Sequence, residues 1–250
     1  TAAIRRARGI RAEVKPLPCL GALNLNHWEV TIMKDMTLTQ EYFICAVNGK
    51  GKISGFSTEK QVCLVAAGLL ELQMEGCICI DKKQVAVTAP LPAEKQYLMP
   101  LYAFLDKPRP VKMEKVLEAY VYSFTDRYLK ELMASIGKEL VAMGLARQAA
   151  GGVFGTVSYV PTTEAIHGVT DMVRAELLED GEVTEDIAAL VILLERGGCL
   201  KPYFSQFEQK EMRARLKALL NSPNGKLVKN MVDYVENMIA IVTVLVTAHS

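Results

Sequence analysis

One order of elements is written twice into this chain, and it limits the fold more than any single motif. From Thr37 two helical patterns and a pair of β-prone runs follow one another to Thr88. From Lys112 the same order returns and ends at Val160, with no repeat at the level of residues. In the first round Thr37-Leu-Thr-Gln40 reads as a capping box, and its helix runs to about Val47, where Asn48-Gly-Lys-Gly51 breaks it. From Thr58 to about Glu75, Val62, Val65, Leu69, Leu72 and Met74 recur at helical spacing, and Gly76 closes the helix. Cys77–Ile80, a polar turn over Asp81–Gln84 and Val85–Thr88 then make a hairpin.

The second round places a helix over Lys112–Ser123. A longer one follows from Asp126 to Met143, capped by Thr125 and ended by Gly144. Short β-prone runs from Leu145 to Val160 flank Ala149-Ala-Gly-Gly152. A helix over Glu94–Leu105 lies between the rounds, and helices near 163–178, 184–196, 207–220 and 226–247 follow them. The fold class is therefore mainly α: a compact single domain of about nine helices with two β-hairpins, one projecting. Residues 1–36 read as a basic arm and linker, and residues 37–250 as the helical domain.

Half of the residues are hydrophobic, too many for a disordered chain. No apolar run approaches the roughly 20 residues that span a bilayer. Met238 to Ala248 is apolar nearly all round but too short, which predicts a core helix. The net charge is only +1, and Arg5, Arg6, Arg8, Arg11 and Lys15 crowd into the first fifteen residues, leaving the rest of the chain net acidic. That balance disfavours a nucleic-acid binder, including a winged-helix one, because Thr58–Glu75 and the second hairpin offer only Lys60 and Arg147. An anion site has to be a local patch.

Catalytic and metal-binding arrangements are not legible. The three histidines, His27, His167 and His249, fall in no HExxH motif, and GxSxG and Walker sequences are missing. The six cysteines, Cys19, Cys45, Cys63, Cys77, Cys79 and Cys199, form no CxxC pair and read as buried reduced thiols; on a strand Cys77 and Cys79 would share a face. Gly151-Gly-Val-Phe-Gly155 is hairpin-turn chemistry, since no Lys-Ser/Thr follows it. The acids from Glu176 to Asp186 read as a solvated helix–helix connection. No cofactor and no metal are expected.

Two features point to binding. Arg127 and Lys130 stand one turn apart on the helix before the second hairpin, and Ala134 links Lys130 to Lys138 at i+4 spacing. Such a cluster can hold a phosphorylated headgroup by charge-assisted hydrogen bonds. At the hairpin tip, Ala149, Ala150, Val153 and Phe154 stand where a protruding loop is usually polar, which suits shallow membrane insertion or self-association.

Several runs together resemble one family. Leu38-Thr-Gln-Glu-Tyr-Phe-Ile-Cys-Ala-Val47, Gly51-Lys-Ile-Ser-Gly-Phe56 and Ala67-Gly-Leu-Leu-Glu-Leu72 with Gly76 are similar to the opening of the Golgi phosphoprotein 3 family. Lys138-Glu-Leu-Val-Ala-Met-Gly144, Ala188-Ala-Leu-Val-Ile-Leu-Leu-Glu-Arg196 and Leu200-Lys-Pro-Tyr-Phe204 are similar to its later helices. The resemblance implies a mostly helical domain without catalysis. For a eukaryotic member it also implies peripheral binding to phosphatidylinositol 4-phosphate on the cytosolic face of the Golgi, and an adaptor role for glycosyltransferases. The family's headgroup tryptophan aligns with Phe56, its first arginine with Val65, and its two later arginines with Lys130 and Met133. Only Lys130 keeps the charge, and Arg127 stands one turn earlier as a substitute. This departure fits a bacterial-type member, peripheral on the cytoplasmic membrane face.

The function expected is thus binding of anionic phospholipid headgroups through Phe56, Arg127, Lys130 and Lys138, with Ala149, Ala150, Val153 and Phe154 inserting or forming a homo-oligomer. The alternative is a soluble interaction or self-association module that has lost the lipid. Client proteins are not legible.

Overall fold

The structure, a computed structural model, describes residues 36–55, 57–81, 83–123, 125–149, 157–179, 183–221 and 226–248. Among them are nine α-helices and two small antiparallel sheets, so the chain is mainly α. The basic arm and the tip residues Ala150, Val153 and Phe154 lie outside the described residues, as does Phe56.

Helices α1 (Leu38–Ala46) and α2 (Thr58–Met74) form the centre. All nine residues of α1 are buried, and Tyr42, Phe43 and Ile44 are completely so. Burial of each such side chain contributes roughly 1.5–3 kcal/mol. A helix buried all round must settle its polar groups inside the protein. The Gln40 arm of the expected capping box is made, for its Oε1 accepts from Thr37 N–H at 3.1 Å. The Thr37 hydroxyl pairs with the Tyr97 phenol at 2.8 Å. Glu71 of α2 accepts from Thr39 N–H at 3.2 Å, from Lys95 Nζ at 2.8 Å, and from the Tyr97 phenol. Burial alone would lower the Lys95 pKa, but Glu71 and Glu75 outweigh it and hold it above its ordinary value.

Lys95 and Tyr97 lie on a 3-10 helix (Ala93–Leu98) that leads into α3 (Met99–Leu105). The single helix expected over 94–105 is therefore divided. Pro100 lacks the N–H that would bond the Gln96 carbonyl in a continuous α-helix, and that carbonyl instead accepts from Met99 N–H.

The first hairpin, β1 (Ile78–Asp81) and β2 (Gln84–Val87), pairs Ile78 with Val87 and Asp81 with Gln84. A third strand, β3 (Val111–Lys112), adds to β2 and was too short to show a period. Cys77 precedes β1 and is buried, with its N–H on the Leu72 carbonyl, whereas Cys79 is exposed; the two do not share a face. Cys45, Cys63 and Cys199 are buried and free, as expected.

Next come α4 (Met113–Val121) and α5 (Arg127–Ala142). Thr125 does not cap α5. Asp126 occupies that position in the left-handed region at φ 48°. Phe104 of α3, Tyr120 of α4 and Tyr128 of α5 meet with ring centroids 5.1–5.6 Å apart, which anchors the start of α5. Both expected glycine stops hold. Gly76 and Gly144 adopt positive φ, and the residue after each bonds back to Leu72 and Leu140 respectively.

The second hairpin pairs β4 (Ala146–Ala149) with β5 (Ser158–Pro161). Tyr159 of β5 fixes it to the body. A Cβ on Gly137 would lie 2.2 Å from the Tyr159 ring, and one on Gly51 would lie 2.3 Å from the Tyr159 carbonyl oxygen. The side chain and backbone of one residue are thus clamped between α5 and the α1–α2 loop.

The chain ends in α6 (Thr163–Leu178), α7 (Glu185–Arg196), α8 (Gln206–Leu220) and α9 (Lys226–Ala248). Thr162, Thr184 and Ser205 cap the first three with their hydroxyls. The apolar end of α9 is core on one side only. Met238 and Val242 are buried and Val244 is 65% exposed, because α2, α4 and α7 cover a single face.

Glu41 ties stability to pH. Burial raises its pKa to about 8, helped by Asp186 on α7, Glu71 on α2 and Glu176 on α6. The folded chain holds this proton after the unfolded chain has lost it near pH 4.5, so stability falls as pH rises from 4.5 to 8. The expected loss is on the order of 4 kcal/mol. Glu41→Gln should raise the thermal midpoint clearly at pH 8 and little at pH 5, and an equal shift at both would contradict this. Gly137→Ala should lower the midpoint by several degrees, since overpacking costs about 1–3 kcal/mol. Without the Tyr159 ring, the same change in mid-helix would stabilise by about 1 kcal/mol.

Candidate functional site

The seat of Tyr159 leaves a cavity of ≈ 370 Å³ between α5, the loop after α1, and β5. Phe43 forms part of its lining from within α1. Met133 and Ala134 line it from α5, Ile53 from the loop, and Val157, Ser158 and Tyr159 from the hairpin. Two cations complete the lining, Lys52 and Lys130, and no carboxylate belongs to it among the described residues.

Lys130 arrives there through the unusual start of α5. Its backbone N–H donates to the Asp126 carbonyl at 2.8 Å, so the left-handed Asp126 turn sets where the lysine leaves the helix. Its Nζ donates to the Thr125 carbonyl at 3.1 Å and lies 3.7 Å from the Asp126 carboxylate. The side chain is 64% exposed, so an ion pair of this kind contributes little and an incoming anion can displace it. Lys52 is exposed, and its ammonium has no partner among the described residues. Its backbone N–H is tied to the Asn48 side chain at 3.2 Å, which holds the loop in shape.

The other expected headgroup residues are placed differently. Arg127 is 70% exposed, donates to Glu131 at 2.8 Å, and lies over the Tyr128 ring. Lys138 is exposed and, like Arg127, does not line the cavity. Helical geometry explains both. At about 100° per residue, Arg127 and Lys138 stand roughly 60–80° round the helix from Lys130, on the side where Glu131 projects. Met133 and Ala134 bracket Lys130 and share its cavity. Val65 is completely buried in α2 and presents nothing to a ligand. Of the tip residues only Ala149 is described, half-buried at the end of β4.

Lys52 was missed from sequence. The available signal was a pair of lysines, Lys50 and Lys52, on either side of Gly51 in a loop the sequence marks only as a break. What brings Lys52 to Lys130 is the contact of Gly51 with Tyr159, across more than a hundred residues of chain.

Chemically, the site pairs two ammonium groups with apolar walls. His167 is exposed on α6, and no group of three or more His, Cys, Asp or Glu able to hold a metal ion occurs among the described residues. Glu176 of the acidic stretch accepts from the Thr184 N–H and hydroxyl and so fastens the α6–α7 connection. No helix among the described residues is long and apolar enough to cross a membrane.

Among curated proteins none matches the chain. A family model does, over residues 38–235, a span that begins with α1, contains every residue lining the cavity, and ends within α9. Its description is Golgi phosphoprotein 3 (GPP34), and the chain belongs to that family.

Proposed function

We propose that this protein is a non-catalytic, peripheral membrane protein that binds anionic phospholipid headgroups. The observation that carries the reading is the pair Lys52 and Lys130 at one cavity, with no carboxylate in its lining among the described residues. Two ammonium groups about a common space favour an anion, and each charge-assisted hydrogen bond to a phosphate is stronger than a neutral one. Membership of the Golgi phosphoprotein 3 family supports a binding role rather than catalysis.

Lysine meets phosphate as a mobile point charge, whereas arginine offers a rigid fork. The site therefore selects charge density more than the pattern of phosphates on a ring. Phosphatidylinositol 4-phosphate falls within the ligand class as one anionic lipid among several. Lys138 adds positive charge on the same helix, and the apolar sequence of the second hairpin at Ala149, Ala150, Val153 and Phe154 supports shallow insertion from the cytosolic face. One weak anchor gives marginal attachment, so headgroup and hairpin act together.

Co-sedimentation with vesicles tests this. Binding is expected to anionic vesicles and not to neutral ones, and to weaken from low to physiological salt. Lys52→Glu and Lys130→Glu should each reduce the bound fraction at least severalfold. Vesicles containing phosphatidylinositol 4-phosphate should bind no better than others of matched charge. Equal sedimentation of both charge-reversed variants with wild type would remove the site from the account.

A further inference from the structure

We infer that the cavity behind Lys52 and Lys130 receives an alkyl chain, and that its ligand is an anionic single-chain lipid. This rests on the headgroup reading above and adds what the interior of the site takes. A headgroup alone would be badly matched to these walls. Phe43, Ile53, Met133 and Ala134 offer no side-chain hydrogen bond, and Val157 stands beside them at the mouth, 46% exposed. The Ser158 hydroxyl and the Tyr159 phenol are the two side-chain hydroxyls in the described lining. A polyhydroxylated ring pushed into this space would lose water from each hydroxyl and find few partners, a cost that an alkyl chain does not meet.

Size and charge point the same way. Ligand cavities run from roughly 300 to 1,000 Å³ and are mostly apolar with a few placed polar groups. At ≈ 370 Å³ this one is at the small end, which suits one chain rather than two. The flexible thioether of Met133 can adjust to a chain of variable path. With the chain inside, the acidic group lies at the mouth within reach of Lys52 and Lys130, and the Lys130 ammonium leaves the Thr125 carbonyl and the Asp126 carboxylate to meet it. A phosphate on a lysophospholipid and the carboxylate of a free fatty acid share this chemistry.

Titration calorimetry on the full chain distinguishes the sources. The probes are lauroyl lysophosphatidic acid, laurate, monolauroylglycerol and glycerol phosphate, each kept below its micelle-forming concentration. Lauroyl lysophosphatidic acid should bind saturably with one molecule per chain. Glycerol phosphate, which lacks the chain, should bind at least about tenfold more weakly. Laurate matching the lysolipid would assign the site to fatty acids, and laurate falling behind would assign it to lysophospholipids. Lys52→Ala, in an exposed loop, should weaken the lysolipid about tenfold and leave monolauroylglycerol unchanged. Ala134→Trp, which fills the cavity, should abolish lysolipid binding, with its thermal midpoint measured alongside. Equal affinity for glycerol phosphate and the lysolipid would overturn the proposal, as would undiminished binding by folded Ala134→Trp. If wild type adsorbs to anionic diacyl vesicles yet binds no lysolipid, the chain proposal falls and the headgroup reading stands. If it does neither, both fall.

Discussion

A carboxylate inside a helical core has to be neutralised and hydrogen-bonded, or the core does not close. Glu71, 4% exposed in the last turn of α2, sets that requirement. Its partners are Thr39 at the start of α1 and Lys95 and Tyr97 on the 3-10 helix. One side chain therefore holds three segments together. Removing Lys95, the one cation among these partners, would leave a buried charge without compensation, which is far costlier than the pair is stabilising. Glu41, one helix away, takes the other route. Among the described residues no cation pairs with it, and burial keeps its proton on instead.

The site inherits its geometry from that centre. Phe43 stands on the buried α1 and lines the cavity from the inside. The aromatic triangle of Phe104, Tyr120 and Tyr128 fixes the start of α5, and with it Lys130. Tyr159, seated between Gly51 and Gly137, then brings the Lys52 loop and the second hairpin to the same place. Neither lysine needs a strong partner of its own, because the backbone beneath each is already held.

Much of this was legible in the chain. Capping residues and glycine stops gave most helices within a residue or two, since those signals are local. Both hairpins were legible for the same reason. The break before Pro100 was written in the sequence, but it reads as a helix until the pull of Glu71 on Lys95 and Tyr97 is known. The two-residue β3 carries no period at all. At the site, Lys130 was found because charge on one helix can be seen. Arg127 and Lys138 were grouped with it by turn counting, which ignores how far each has rotated toward Glu131. Lys52 could not be grouped with them, because its place depends on the close approach of Gly51 to Tyr159.

In the proposed function this cavity is the place where a Golgi phosphoprotein 3 family member meets an anionic lipid surface. Hydrogen exchange of the full chain, with and without anionic vesicles, tests that most directly. The account predicts slowed exchange on adding vesicles in residues 51–53, 127–137 and 157–159, with α7 and α8 unchanged. Slowing confined to α7 and α8, with those three segments unaffected, would contradict it.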